Sequence, residues 1–111
     1  MPSNFHFPIT AAAQAPNAPG RLSPEILRRG ELELRYYAPK GNDPQTPHTR
    51  DEVYVVASGS GTFVCDGESA DFQAGDALFV PAHVEHRFEA FTEDFAVWVM
   101  FYGPEGGELV D

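Results

Sequence analysis

The 111 residues are enough for one folded domain and too few for two. Hydrophobic residues make up 42% of the chain, as in a globular protein, and 17 acidic against 7 basic side chains give a formal net charge of −10. A surface this negative repels phosphate backbones and anionic lipid, so no nucleic acid and no membrane is expected as a partner.

Cys65 is the single cysteine, which excludes an intrachain disulfide and an all-cysteine metal site. No Lys or Arg precedes Arg21, and no apolar run has the length of a signal peptide or a membrane span. A reducing, cytoplasmic location is the expectation.

Residues 1–22 are rich in Ala and Pro and read as an extended N-terminal arm, with Phe5, Phe7 and Ile9 free to lie on a neighbouring surface. A barrel is expected over 23–111. Ser23-Pro24-Glu25 is a helix-start signal and Gly30 a stop, which predicts a helical turn between them. From residue 31 the period becomes two: Leu32, Leu34 and Tyr36 alternate with polar neighbours, predicting a strand that buries this apolar row. The loop 40–47 follows. Residues 52–58 and 62–66 are predicted strands joined by a tight turn at Gly59-Ser60-Gly61. Asp66-Gly67 and Ala74-Gly75-Asp76 are further turns, around a short strand at 70–73 and ahead of a strand at 77–81. Strands at 85–91 and 95–102 complete the set, and the tail from 103 reads as loose or packed only at its edge. Seven or eight short strands with turns about every ten residues predict a sandwich or a closed barrel.

Side chains two or four apart on an extended segment share a face. Thr46, His48, Glu52 and Tyr54 therefore fall in one row, and His86 and Phe88 in another. If both rows face into a barrel, two imidazoles and a carboxylate converge. Such a trio suits a divalent Fe, Mn, Ni, Co or Zn ion and leaves coordination positions open. Taken singly, histidines are more often surface or hydrogen-bonded residues, which is the reading for His6 and His83. Trp98 and Met100 share one face of the last strand, and Phe95, Val97, Val99 and Phe101 the other. Such stripes build barrel cores and also line ligand cavities. Cys65 reads as a small buried hydrophobe.

Two stretches resemble a known family. His48-Thr49-Arg50-Asp51-Glu52, with Gly59 after six further residues, is similar to the first cupin motif, Gly-x5-His-x-His-x3or4-Glu-x6-Gly. Gly75, Pro81, His83 and His86 fall on the second, Gly-x5-Pro-x-Gly-x2-His-x3-Asn. The chain departs from the pattern at Thr46, which stands where the first histidine is usual, at His83 in place of glycine, and at Ala90 in place of asparagine. Gly41 lies one residue too close to the histidine position. The resemblance, spanning about 31–102, is to small single-domain cupins. It implies an all-β, antiparallel jelly-roll barrel, a homodimer, and a divalent metal on His48, Glu52 and His86. Thr46 or Gln45 could supply a weak fourth oxygen, or water could fill that position, and Tyr54, Phe88, Trp98 and Met100 would line the pocket of a small-molecule substrate. The implied activity is dioxygenase-like or isomerase-like. The alternative is a non-catalytic ligand-binding or dimer-forming barrel.

Overall fold

Eight strands and one short helix order the chain in the computed structural model, which describes residues 5–110. In chain order they are α1 (Ile9–Gln14), β1 (Glu25–Arg29), β2 (Leu32–Tyr37), β3 (Asp51–Ser58), β4 (Ser60–Cys65), β5 (Glu68–Gln73), β6 (Ala77–Val80), β7 (His86–Glu89) and β8 (Ala96–Tyr102). One sheet has the order β1-β2-β8-β3-β6 and the other β5-β4-β7. All neighbours are antiparallel. From β3 onward every connection except the β4–β5 hairpin passes between the sheets, and that passage makes the all-β jelly roll.

The sheets close over an aromatic core. Phe63, Phe72, Phe88 and Phe95 are each at most 5% exposed, and their rings meet edge-on or tilted at centroid separations of 4.7–5.5 Å. Tyr54 extends this layer, 4.9 Å from Phe88. Such pairs add directional preference to the burial of large apolar area.

Several local expectations are overturned. The segment after Ser23-Pro24 is the strand β1, not a helical turn. Gly30, at φ +58°, sits at the first central position of a two-residue hairpin that pairs Arg29 with Leu32. The glycine read as a helix stop serves the hairpin. Strand β2 also buries the opposite row from the one its apolar residues suggested: Glu33, Arg35 and Tyr37 are buried, while Leu32 is 40% exposed. Tyr36 is buried on the outer face instead, where Ala12 of α1, Ala96 and Trp98 pack with it. The segment expected to be an extended arm thus contains a helix that covers the outer side of the large sheet; residues 1–4 and 111 lie outside the described residues. The tail from 103 is stitched down. Arg50 donates to the Gly103 carbonyl at 3.0 Å, the Gly106 N–H to the Thr49 carbonyl at 2.6 Å, and the Glu108 N–H to Asp51 at 2.9 Å.

The turn at Gly59 is not a hairpin either. Strands β3 and β4 belong to different sheets, and Gly59 (φ +84°) is where the chain crosses between them. A Cβ there would fall 2.6 Å from Phe95 Cα and 2.6 Å from Thr92 Oγ1. Backbone cannot yield as a flexible side chain can. Gly59→Ala is expected to cost on the order of 3 kcal/mol, from the left-handed φ and the clash together, measurable as a lowered urea midpoint. An unchanged midpoint would refute this account of the crossover. Ala90, exposed and at φ +51°, presents the opposite case. Asparagine tolerates the left-handed region better than alanine, so Ala90→Asn is expected to stabilise by about 0.5–1 kcal/mol, raising Tm by a few degrees.

Candidate metal centre

Strand register places the carboxylate first. Glu52 is the second residue of β3, set between Val80 of β6 and Phe101 of β8, and is 1% exposed. His86 opens β7 in the other sheet, beside Cys65, and is 2% exposed. His48 precedes β3 across a bend at Thr49–Arg50, so a straight extended run is not what aligns it with Glu52. The second-motif turn secures it, because the His83 N–H donates to the His48 carbonyl at 2.6 Å. His83 itself is exposed, with φ +70°, and occupies a left-handed position suited to the glycine it replaces.

The three side chains meet. Glu52 Oε1 lies 3.5 Å from His48 Nε2 and 3.3 Å from His86 Nε2, and one donor atom from each residue falls within 4.8 Å of the others. Two donors about 2.1 Å from a shared ion, at roughly 90–110°, stand about 3.0–3.4 Å apart. The two Glu52–imidazole spacings are close to that range, and a small inward shift of the rings would let the three groups share one divalent cation. Glu52 Oε1 is buried and has no hydrogen-bond partner among the described residues, and neither does His48 Nδ1. An ion would compensate the orphaned carboxylate oxygen.

Ring orientation and the neutral His48 agree with that fit, while a proton shared by Glu52 and His86 would compete with the ion. The His86 Nδ1 lies 2.9 Å from the Val84 carbonyl, which selects the Nδ1–H tautomer of a neutral ring and leaves the Nε2 lone pair facing Glu52. Burial, reinforced by the neighbouring His86, lowers His48 to about 4, so its imidazole is neutral at neutral pH. Burial pushes the Glu52 carboxyl above the usual carboxylate range, against the pull of His86. Burial alone would depress His86 as well, but the Glu52 carboxylate and the Val84 carbonyl hold it above its ordinary value. Phe101 presents its ring edge-on to His48 at 4.8 Å and fixes the imidazole plane.

Of the two residues considered for a fourth oxygen, Gln45 approaches the trio. Its Oε1 accepts from the Tyr54 hydroxyl at 2.9 Å and lies 3.2 Å from His86 Nε2. Asp43 fixes the orientation of the amide: the Gln45 Nε2 donates to Asp43 Oδ2 at 2.5 Å, so the oxygen must turn inward. The Tyr37 hydroxyl and the Phe88 backbone N–H donate to the same carboxylate. Thr46 is exposed and lines the same cavity.

That cavity, about 180 Å³, opens over His48 and Glu52, with Tyr54, Val99 and Phe101 among its walls. Trp98 and Met100, expected there, are not in its lining. They point to the other face of β8, where Trp98 packs on Tyr36 at 5.1 Å. Phe88 lies beneath Tyr54 in the core and does not line the cavity. The sequence reading passed over Asp43, Arg35, Val99 and Phe101. The alternation along β8 offered a signal for the last two, whereas nothing local marks Asp43 as a clamp.

The Cupin domain family profile matches residues 33–102. An uncharacterized protein of Streptomyces coelicolor is 36% identical over 83 residues, covering 73% of this chain and 79% of that protein. Among solved structures, a cupin-2 domain protein from Shewanella frigidimarina superposes with a TM-score of 0.61 at 21% identity, over 73% of this chain and 79% of the other. A candidate mannose-6-phosphate isomerase from Ralstonia eutropha gives 0.58 at 28% identity, over 83% and 94%. Motif order, jelly-roll topology and an inward-facing His-Glu-His group coincide with the profile match, and the chain belongs to the cupin family.

Proposed function

We propose that this cupin is a metal-dependent enzyme acting on a small organic molecule, with dioxygenase-like or isomerase-like chemistry centred on His48, Glu52 and His86. The observation that carries the reading is the buried Glu52 Oε1, without a hydrogen bond and flanked by two imidazole Nε2 atoms. A bound Fe, Mn, Ni, Co or Zn ion would supply a Lewis acid with open coordination positions. The surrounding residues do the positioning. Val84 holds the His86 tautomer, Phe101 holds the His48 ring, and Asp43 turns the Gln45 amide oxygen inward as a fourth donor in place of the usual imidazole. Tyr54 is fully buried and its hydroxyl is kept protonated by desolvation, so it serves as a hydrogen-bond donor at the cavity floor. The likeness at 28% identity to a protein described as a candidate isomerase supports the isomerase arm of the reading.

A second reading, a barrel that binds a small ligand without turnover, is favoured by Thr46 at the position of the family's first histidine. Ligand-dependent thermal stabilisation with no product would select it over the enzyme.

Protein purified anaerobically is expected to carry about one equivalent of divalent metal by elemental analysis, and His86→Ala to lose it while remaining folded by circular dichroism. Metal-free protein that also fails to take up added Mn, Fe, Ni, Co or Zn would end the proposal. Gln45→Leu removes the fourth oxygen and is expected to weaken metal binding by about tenfold, whereas Thr46→Val leaves it unchanged. The reverse ranking would assign the fourth position to Thr46.

A further inference from the structure

The cavity over the metal trio is electrically unlike the rest of the molecule. The chain has only seven basic side chains, and four of them, Arg21, Arg28, Arg35 and Arg50, gather around one buried carboxylate. Glu33, 7% exposed, lies 2.6 Å from Arg35, 3.1 Å from Arg28, and 3.7 Å from both Arg21 and Arg50. Glu25 is the other acid in the group, paired with Arg28 at 2.5 Å and standing 3.9 Å from Arg35. Four guanidiniums thus face two carboxylates, in a protein whose overall charge is strongly negative.

Two of these guanidiniums belong to the cavity wall. Arg21 and Arg35 line it together with His48 and Glu52, and Glu52 is the one acidic residue in that lining. Arg35 is 4% exposed and held in place, its Nε donating to Ser23 Oγ at 2.8 Å, one Nη to the Ser23 carbonyl and the other to Glu33. These bonds use three of five N–H groups and leave a fixed fork with donors to spare. Arg21 sits at the rim, half exposed, with only the longer approach to Glu33. Elsewhere the walls mix apolar Val99 and Phe101 with polar Ser23, Gln45 and Thr46. A preorganised guanidinium beside a partly apolar wall and opposite a cation site is the arrangement that recognises a carboxylate.

We infer that the Arg21–Arg35 wall is an anion subsite, and that the substrate is a small organic acid whose carboxylate faces these guanidiniums while its reacting end lies over His48 and Glu52, with His86 buried behind them. The size agrees: about 180 Å³ is below the range of roughly 300–1,000 Å³ of sites for drug-sized ligands. The inference takes its second anchor from the metal reading, but the arginine subsite stands independently of it.

The test uses the full chain, both metal-free and loaded with Mn(II), titrated calorimetrically with malonate, with its uncharged counterpart malonamide, and with inorganic phosphate. Malonate is expected to bind about tenfold tighter than malonamide in both forms, and tightest with the metal present. Arg21→Gln, at an exposed position that leaves the fold intact, is expected to weaken malonate about five- to tenfold while sparing malonamide and the bound Mn(II). Arg35→Lys keeps the charge beside Glu33 but removes the fork, and is expected to weaken malonate similarly. Equal affinity for malonate and malonamide, or an Arg21→Gln protein that binds malonate unchanged, overturns the subsite. Phosphate binding at least as tightly as malonate overturns the carboxylate assignment. Malonate discrimination in a protein that takes up no metal supports the subsite and sinks the metal reading alone; one equivalent of Mn(II) without discrimination does the reverse.

Discussion

Glu52 is a carboxylate at 1% exposure with one oxygen that no donor satisfies, and the organisation of the barrel mouth follows from that constraint. Taking a charged carboxylate out of water costs several kcal/mol even after local relaxation, and an ordinary fold would neutralise it or move it to the surface. Here the strand register forbids escape, because Glu52 is flanked by Val80 on one side and Phe101 on the other. Compensation has to come from inside. Of the two imidazoles that approach it, His86 is buried and His48 half-buried, and for His48 desolvation favours the neutral ring. A proton on His86, which the adjacent carboxylate favours, offsets part of that cost, and a divalent ion would offset more of it.

The two sheets make this placement possible. Glu52 belongs to the five-stranded sheet and His86 to the three-stranded one, so their distance is set by how the sheets close and not by any local turn. The spacer is the aromatic layer, in which Tyr54, Phe63 and Phe88 stack directly below the site. Interiors packed to crystal-like density transmit displacement and do not absorb it. Below this layer the barrel is apolar, with Phe72, Phe95 and Val97; above it the inward row turns polar, with Arg35, Glu33 and Glu52. One closed barrel therefore carries a stabilising end and a chemical end, and the stable end offsets the strain of burying charge at the other.

Much of this was legible in the sequence because it depends on short-range chemistry. The strands at 77–81 and 95–102, the Asp66-Gly67 turn and the grouping of His48, Glu52 and His86 all appear in the structure, although a bend and not an extended run brings His48 beside Glu52. What stayed hidden depends on tertiary context. Strand β1 carries a helix-start signal, and only its pairing with β2 decides the outcome. The apolar row Leu32-Leu34-Tyr36 suggested the wrong buried face, since the barrel mouth buries Glu33 and Arg35 and the outer face is covered by a helix that composition alone did not announce. Gly59 reads locally as a hairpin glycine, and its crossover role becomes visible once Phe95 is seen 2.6 Å from its absent Cβ. Asp43 carries no local signature, because its partners are a tyrosine, a glutamine and a backbone amide scattered over 37–88.

Substituting threonine for the usual histidine at position 46 has a consequence that joins the metal site to the arginine wall. A metal ion there would lose a strong, soft imidazole donor and keep at most a weaker amide oxygen from Gln45, pinned by Asp43. Less donation leaves more positive character on the ion, and oxygen in place of nitrogen shifts preference toward harder ions and harder, anionic ligands. The same cavity presents Arg21 and Arg35 and a single acidic side chain. Both changes act in one direction, toward an anion. In an otherwise acidic protein the field inside the cavity opposes that of the surface, so a small anion reaching the mouth gains more from entering than a neutral molecule of the same shape. On the proposed reading, threonine at position 46 would then contribute to how the site selects its ligand.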